Sequence, residues 1–326
     1  MGVEGYTGFP THARHIKGGD IVLRESLHRY MKVGLVYFMA YPFAMTGEGD
    51  IEATVRRVLM DDYFDCIELT RINDPALRAK VAELVKQSGC VMTYGAQPQL
   101  MRNQENLNSL DEALRARAVA RMKRCVDEAY ETGAQGIAYL AGKYDPDKAE
   151  DAYRALVQST REICAYAKEK GGMPVNLEVF DYDIEKCALI GPTPLALRFV
   201  REICKEFDNF GLMVDLSHMT QLHETMDECI DPIVPYIRHV HIANAVLEPG
   251  APAYGDQHPR FGFPNSLVDV DMLTAFLEKL FAIGYLGEGK RPIVSFEVKP
   301  WGEEDSEMVL ANAKRFLNEA WYKVTL

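Results

Sequence analysis

Four residues in the C-terminal half of the chain have the types and placement needed to hold a divalent cation and move a proton: Glu178, Asp215, His241 and Glu297. Each stands near the C-terminal end of a short apolar, β-rich run: PVNLEVF (174–180), GLMVDLSH (211–218), RHVHI (238–242) and PIVSFEV (292–298). Apolar runs of this length, bounded by turn residues, read as buried parallel strands. Burying an unpartnered charge costs several kcal/mol, and a cation among the charges removes that cost. For Asp215 alone a plainer reading exists, since Asp is a common helix N-cap and His218 would be a polar neighbour. For the set, the plainer reading is a salt-bridge network with lysines. Four strands each offering one ligand at the same end favour a shared site.

Strand parity allows all four to face inward. Glu178 shares a face with Asn176 and Phe180, Asp215 with Met213, His241 with His239, and Glu297 with Ser295, because side chains alternate along a strand. Three carboxylates and one imidazole suit Mn²⁺, Mg²⁺ or Co²⁺ better than a thiolate-seeking metal. Mn²⁺ is the first choice because imidazole is a less usual ligand for Mg²⁺; Zn²⁺ is a further alternative. Such an ion would hold a hydroxyl and carbonyl pair and stabilise an enediolate. One Glu would remove a proton and the other return it. The expected chemistry is proton transfer next to a carbonyl, that of an isomerase or epimerase, with Glu178 and Glu297 as the acid/base pair. A lyase or dehydratase using the same chemistry is the alternative, and a non-catalytic sugar-binding barrel is the third reading.

Further candidates stand nearby. His218 is placed to contact a substrate oxygen or the metal, with a polar cap role equally open. The segment GDQHPRFG offers Asp256, His258 and Arg260 for a substrate hydroxyl or phosphate, or as solvated loop charges. Asp181 and Lys186 follow the run that carries Glu178. Tyr37, Phe38, Tyr41, Phe180 and Trp301 are candidates for an apolar wall, although most aromatics are core residues.

The elements that must position these residues follow a regular rhythm from Lys32. Strands are expected at KVGLVYF, FDCIELT, CVMTYG and GIAYLAG, followed by the four ligand-bearing runs. Helical segments separate them, with Asp50, a Ser109-Leu-Asp-Glu capping box, and Thr193 ahead of Pro194 as start signals. The segment from Ala245 to Leu267 is a long Gly- and Pro-rich loop, a length that usually marks function. Eight strand–helix units without hairpin turns predict an α/β fold, a (β/α)8 TIM barrel over residues 31–326. Residues 1–30 read as an N-terminal extension, with IVLRESLHRY as a short helix at its end.

Composition fits one large domain: 326 residues, 48% hydrophobic and 26% charged. A net charge of −12 disfavours nucleic-acid or anionic-membrane partners. No apolar run approaches the ~20 residues of a membrane span, and the first residues lack a signal-peptide core. The seven cysteines show no CxxC spacing, which fits reduced thiols in a cytoplasmic protein. The expected partner is a small-molecule substrate, a carbohydrate if the resemblance given next holds, in a homo-oligomer or alternatively a hetero-oligomer.

The pattern LEVF, VDLSH, HVHIAN and SFEV resembles the xylose isomerase-like barrel superfamily, over about residues 31–326. That superfamily includes sugar and sugar-phosphate isomerases and epimerases, inosose dehydratases, catalytic subunits that cleave 3-keto-glycosides including C-glycosides, and endonuclease IV. The resemblance to the ketose 3-epimerases implies metal ligands at Glu178, Asp215, His241 and Glu297, the two glutamates as acid/base pair, and substrate contact by His218. The resemblance to the glycoside-cleaving members implies His258 as an extra base. The sequence departs from the epimerases where Asn244-Ala245 replaces an early Arg, and where Phe180-Asp181 replaces Asn-Arg. Asp256-Gln257-His258 is similar to a late Asp-x-His of endonuclease IV, whose early metal histidines have no counterpart here.

Overall fold

β-Branched and apolar residues concentrate in eight short runs, and each forms a strand in the computed structural model, which describes residues 25–326. They are β1 (Lys32–Val36), β2 (Cys66–Leu69), β3 (Val91–Gly95), β4 (Ile137–Leu140), β5 (Val175–Glu178), β6 (Phe210–Asp215), β7 (Ile237–Ala243) and β8 (Ile293–Glu297). All neighbours pair in parallel, in sequence order, and β1 closes on β8. Helices lie between the strands, as the expected (β/α)8 barrel requires. Register sets the height of the ligand candidates: Asp215 is level with His241, while Glu297 pairs with Ala243, one pleat higher. Gly34 permits a close approach inside the barrel, where a Cβ would lie 2.1 Å from the Ser295 hydroxyl.

The barrel lumen departs from the usual apolar filling. Glu68, Thr93, Asn176, His239 and Ser295 are all buried there, below the C-terminal mouth. The apolar core lies mainly between the strands and the helix layer, with Tyr139, Phe199, Phe276 and Phe296 among its largest members. Among the described residues no helix is long and apolar enough to cross a membrane.

Several local expectations change. The first strand stops at Val36, and Tyr37–Ala40 turns into a helix. Tyr41 N–H closes that turn on Tyr37 O, and the buried Tyr37 hydroxyl pairs with Thr54 at 2.7 Å. The long helix Glu112–Thr132 is capped by Asp111, which accepts from Ala113 and Leu114, so the box at Ser109 does not form. Asp50 holds the N-cap position of Ile51–Leu59 without a side-chain bond. The helix Thr193–Ile203 already includes Thr193, whose N–H is held by Glu224. Of the segment IVLRESLHRY, residues 21–24 lie outside the described residues, as does most of the expected extension; Leu27–Arg29 forms a 3-10 turn. Leu27 and Tyr30 are buried, and the Trp321 indole donates to Glu25 O.

Candidate functional site

Three strand ends and the interior of a fourth strand deliver three acids and an imidazole to the same point. Glu178 ends β5, Asp215 ends β6 and Glu297 ends β8, while His241 lies within β7. One ligand atom from each lies within 4.8 Å of every other. His241 Nδ1 is 2.7 Å from Glu297 Oε2, 3.5 Å from Glu178 Oε1 and 3.9 Å from Asp215 Oδ2.

The two readings of Asp215 are divided between its two oxygens. Oδ1 accepts from Ser217 N at 2.5 Å, capping the short turn Leu216–Met219. Oδ2 is buried with no hydrogen-bond partner. Glu178 divides in the same way: Oε2 accepts from Gln97 at 2.7 Å and Oε1 has no partner. Two orphaned carboxylate oxygens at 1% residue exposure are costly unless a cation completes them. The donor set and the orphaned oxygens therefore fit a divalent metal.

Electrostatics follow from this crowding. Burial pulls the His241 imidazole down, but Glu68 and Glu297 outweigh it and hold it well above its ordinary value. Burial raises the Glu297 carboxyl, only partly offset by His258 and His241. His241 Nε2 faces Glu68 at 3.2 Å, and Glu68 also takes His239 Nε2 at 2.7 Å. A carboxylate behind a ligating imidazole fixes its orientation.

The model of the family described as xylose isomerase-like TIM barrel matches residues 61–318. The chain belongs to that family. Similar solved structures include D-psicose 3-epimerase from Clostridium cellulolyticum H10, 20% identical with a TM-score of 0.62, covering 89% of this chain and 96% of that one. The E. coli 3-keto-D-glucoside 4-epimerase is 17% identical with a TM-score of 0.62, covering 88% and 99%. An L-ribulose 3-epimerase is 18% identical with a TM-score of 0.63, covering 89% and 95%. At these identities the likeness is one of fold. No curated protein matches the sequence.

Around the acidic cluster of this xylose isomerase-like barrel lies a cavity of about 190 Å³, lined by Glu68, Gln97, Glu178, His241, His258 and Glu297 among others. Phe38 and Phe180 join its lining; of the other aromatic candidates, Tyr37 and Tyr41 pack on each other and Trp301 packs on Phe263. His218 lies beside the cluster, with Nδ1 3.0 Å from Val179 O and 3.7 Å from Glu178 Oε1. Its Nε2 is 2.9 Å from Asp256 Oδ1, which also lies 2.9 Å from His258 Nε2. Burial lowers the His218 imidazole, but Asp256 and Asp215 outweigh it and raise it to about 10. Asp215, His218 and His258 form a second close group that shares Asp215.

Lys186 reaches the cavity and pairs with Asp256 Oδ2 at 2.6 Å. Asp215 and His218 belong to the clusters without lining the cavity, and Asp181 and Arg260 belong to neither. Asp181 is fully buried, and its carboxylate accepts from the backbone N–H groups of Ile184, Glu185, Lys186 and Cys187. It shapes the loop that carries Lys186. Arg260 pairs with Glu304 at 2.8 Å and donates to Phe261 O and Gly262 O, outside the cavity lining. Sequence reasoning missed Glu68 and Gln97 as site residues. Glu68 had one signal, an acid inside the apolar run CIEL.

Proposed function

We propose that this protein is a divalent-metal-dependent isomerase or epimerase of a small carbohydrate. Glu178, Asp215, His241 and Glu297 would hold the cation, Mn²⁺ first among Mg²⁺, Co²⁺ and Zn²⁺. The two orphaned oxygens of Glu178 and Asp215 in a buried acidic cluster carry the reading. When bound, the ion supplies charge that favours an anionic carbonyl-derived species. Glu178 and Glu297 are the proton-moving pair. Gln97 holds Glu178 Oε2 and directs the other oxygen inward. Burial raises the Glu297 carboxyl, and its Oε2 lies 2.7 Å from His241 Nδ1. His218, whose two ring nitrogens are taken by Val179 O and Asp256, positions Asp256 beside the cavity, and His258 lines the space the substrate would fill. Lys186 and the apolar Phe38 and Phe180 bound the sugar and exclude water. A volume of about 190 Å³ lies below the roughly 300 Å³ of drug-sized pockets and suits one sugar ring. The structural neighbours named above are sugar epimerases, which agrees with this reading. A cytoplasmic homo-oligomer without nucleic-acid partners completes it.

One observation favours a second reading, a lyase or dehydratase acting on a keto-sugar or 3-keto-glycoside. A neighbouring cavity of about 420 Å³ shares Met101 and Lys186 with the first. Leu100, Leu140 and Ala141 line it, an apolar setting for a group attached to the ring.

Incubation of the Mn²⁺-loaded protein with a ketose panel in D₂O tests the first reading. Deuterium is expected at C2 or C3 of at least one sugar. Absence of exchange, with release of an aglycone or water from a keto-glycoside, would transfer the assignment to the second.

A further inference from the structure

The cavity over the acidic cluster combines two further chemistries beside the carboxylates of Glu68, Glu178, Glu185, Asp256 and Glu297 that line it. Phe38, Met39, Pro98 and Phe180 give it apolar lining, and Lys186, Gln257 and Lys299 give it polar, cationic lining. The two lysines differ in how they are neutralised. Lys186 Nζ lies 2.6 Å from Asp256 Oδ2 and 3.5 Å from Glu185 Oε1. Lys299 Nζ donates to the neutral side-chain oxygen of Gln257 at 2.9 Å, and no carboxylate of the described residues pairs with it. Its backbone N–H is tied to His258 O at 2.7 Å, so the stem starts from a fixed point. An ammonium group has three donors, and one of these three is used.

A lone lysine on an open surface needs no explanation. Lys299 is different because it is half-buried and lines the same small cavity as Glu178, His241 and Glu297. Lys186 repels it, Glu185 and Asp256 attract it from beyond pairing distance, and burial weakens its hydration. An incoming anion would offset the lost hydration, and charge-assisted hydrogen bonds are the stronger kind. We propose that Lys299 recognises a negatively charged oxygen group on the substrate, a carboxylate or a phosphate, borne by a part of the molecule other than the part that meets Glu178 and Asp215. This specificity role rests on the carbohydrate reading of the site. It narrows the substrate from sugars in general to sugar acids or sugar phosphates.

Calorimetric titration of the Mn²⁺-loaded protein with glucose, glucuronate and glucose 6-phosphate separates the two sources of charge. The expected result is that one charged sugar binds about tenfold or more tightly than glucose. Lys299→Gln should erase that preference while leaving glucose binding unchanged. Should Lys299→Gln fail to fold, Lys299→Met keeps the packing stem and reads the same difference. Equal affinity for all three sugars overturns the proposal, as does an anion preference that survives loss of the ammonium. The two readings fail separately. Turnover of a neutral ketose without any anion preference sinks this inference and leaves the epimerase standing. An anion preference without proton exchange on any sugar does the reverse.

Discussion

His241 belongs to two acid–imidazole groups that differ in one respect. On the inner side, Glu68 engages His239 and His241, and both of its oxygens have partners. On the outer side, Glu178 and Asp215 each keep one buried oxygen with none. Burial opposes ionisation of Glu68, but His239 and His241 outweigh it and hold the carboxyl well below its usual range. A network closed in this way serves as scaffold. An open one of the same residue types is a place for something to bind. The contrast teaches that, between these two groups of buried acids, the carboxylates left with an unpartnered oxygen mark the place open to a ligand.

The contrast breaks most sharply at Glu178. Glu178→Gln is expected to lower turnover about 1,000-fold, measured as kcat on the sugar identified in D₂O, while the metal-free variant melts no lower than wild type. A metal-free melting temperature that drops would place Glu178 in the scaffold. In the closed network the expectation inverts. Glu68→Gln should destabilise the metal-free protein by about 3 kcal/mol and weaken Mn²⁺ binding about 10- to 100-fold, by denaturant titration and metal competition. Unchanged stability would remove Glu68 from the scaffold.

Asp256 sharpens the same division through pH. Burial raises its carboxyl, but His258, Lys186 and His218 outweigh it and set it well below the ordinary value. Its folded pKa is below its unfolded one. The stabilisation is therefore complete above the ordinary carboxylate range and is lost as pH falls through the depressed folded value. Asp256→Asn should cost about 3 kcal/mol near neutral pH, with the gap from wild type closing in acid; a gap that widens there contradicts the assignment. Saturating Mn²⁺ at about 100 times its Kd should raise the unfolding free energy by about 2.7 kcal/mol, and Asp215→Asn should abolish the gain. The smallest effect is expected at Arg260, which pairs with Glu304 away from the cavity. Arg260→Ala should cost under about 1 kcal/mol and leave KM nearly unchanged; a large rise in KM would return it to the site.

The barrel and the four ligand candidates were legible because both depend on local signals. Apolar runs mark the strands, and period-two parity tells which acids face inward. Glu68 and Gln97 were not legible, since their partners lie far along the chain: His239 for Glu68, and Glu178 for Gln97. Asp181 and Arg260 misled for the complementary reason. A charged loop residue does not announce its partner, and both are occupied, by backbone amides and by Glu304. Tyr37 and Phe38 read as strand because aromatics favour sheets. The hydroxyl of Tyr37, buried against Thr54, accompanies the switch to a helical turn.

Asp215 serves two masters with one side chain, its Oδ1 holding the Ser217 amide and its Oδ2 turned inward. Replacement can therefore separate its duties. An amide side chain keeps the grip on the turn and forfeits the charge, whereas an added methylene keeps the charge and strains the grip. The inner oxygen and the turn that carries His218 therefore hang on a single carboxylate, so one substitution reports on both the centre and the seat of its neighbouring imidazole.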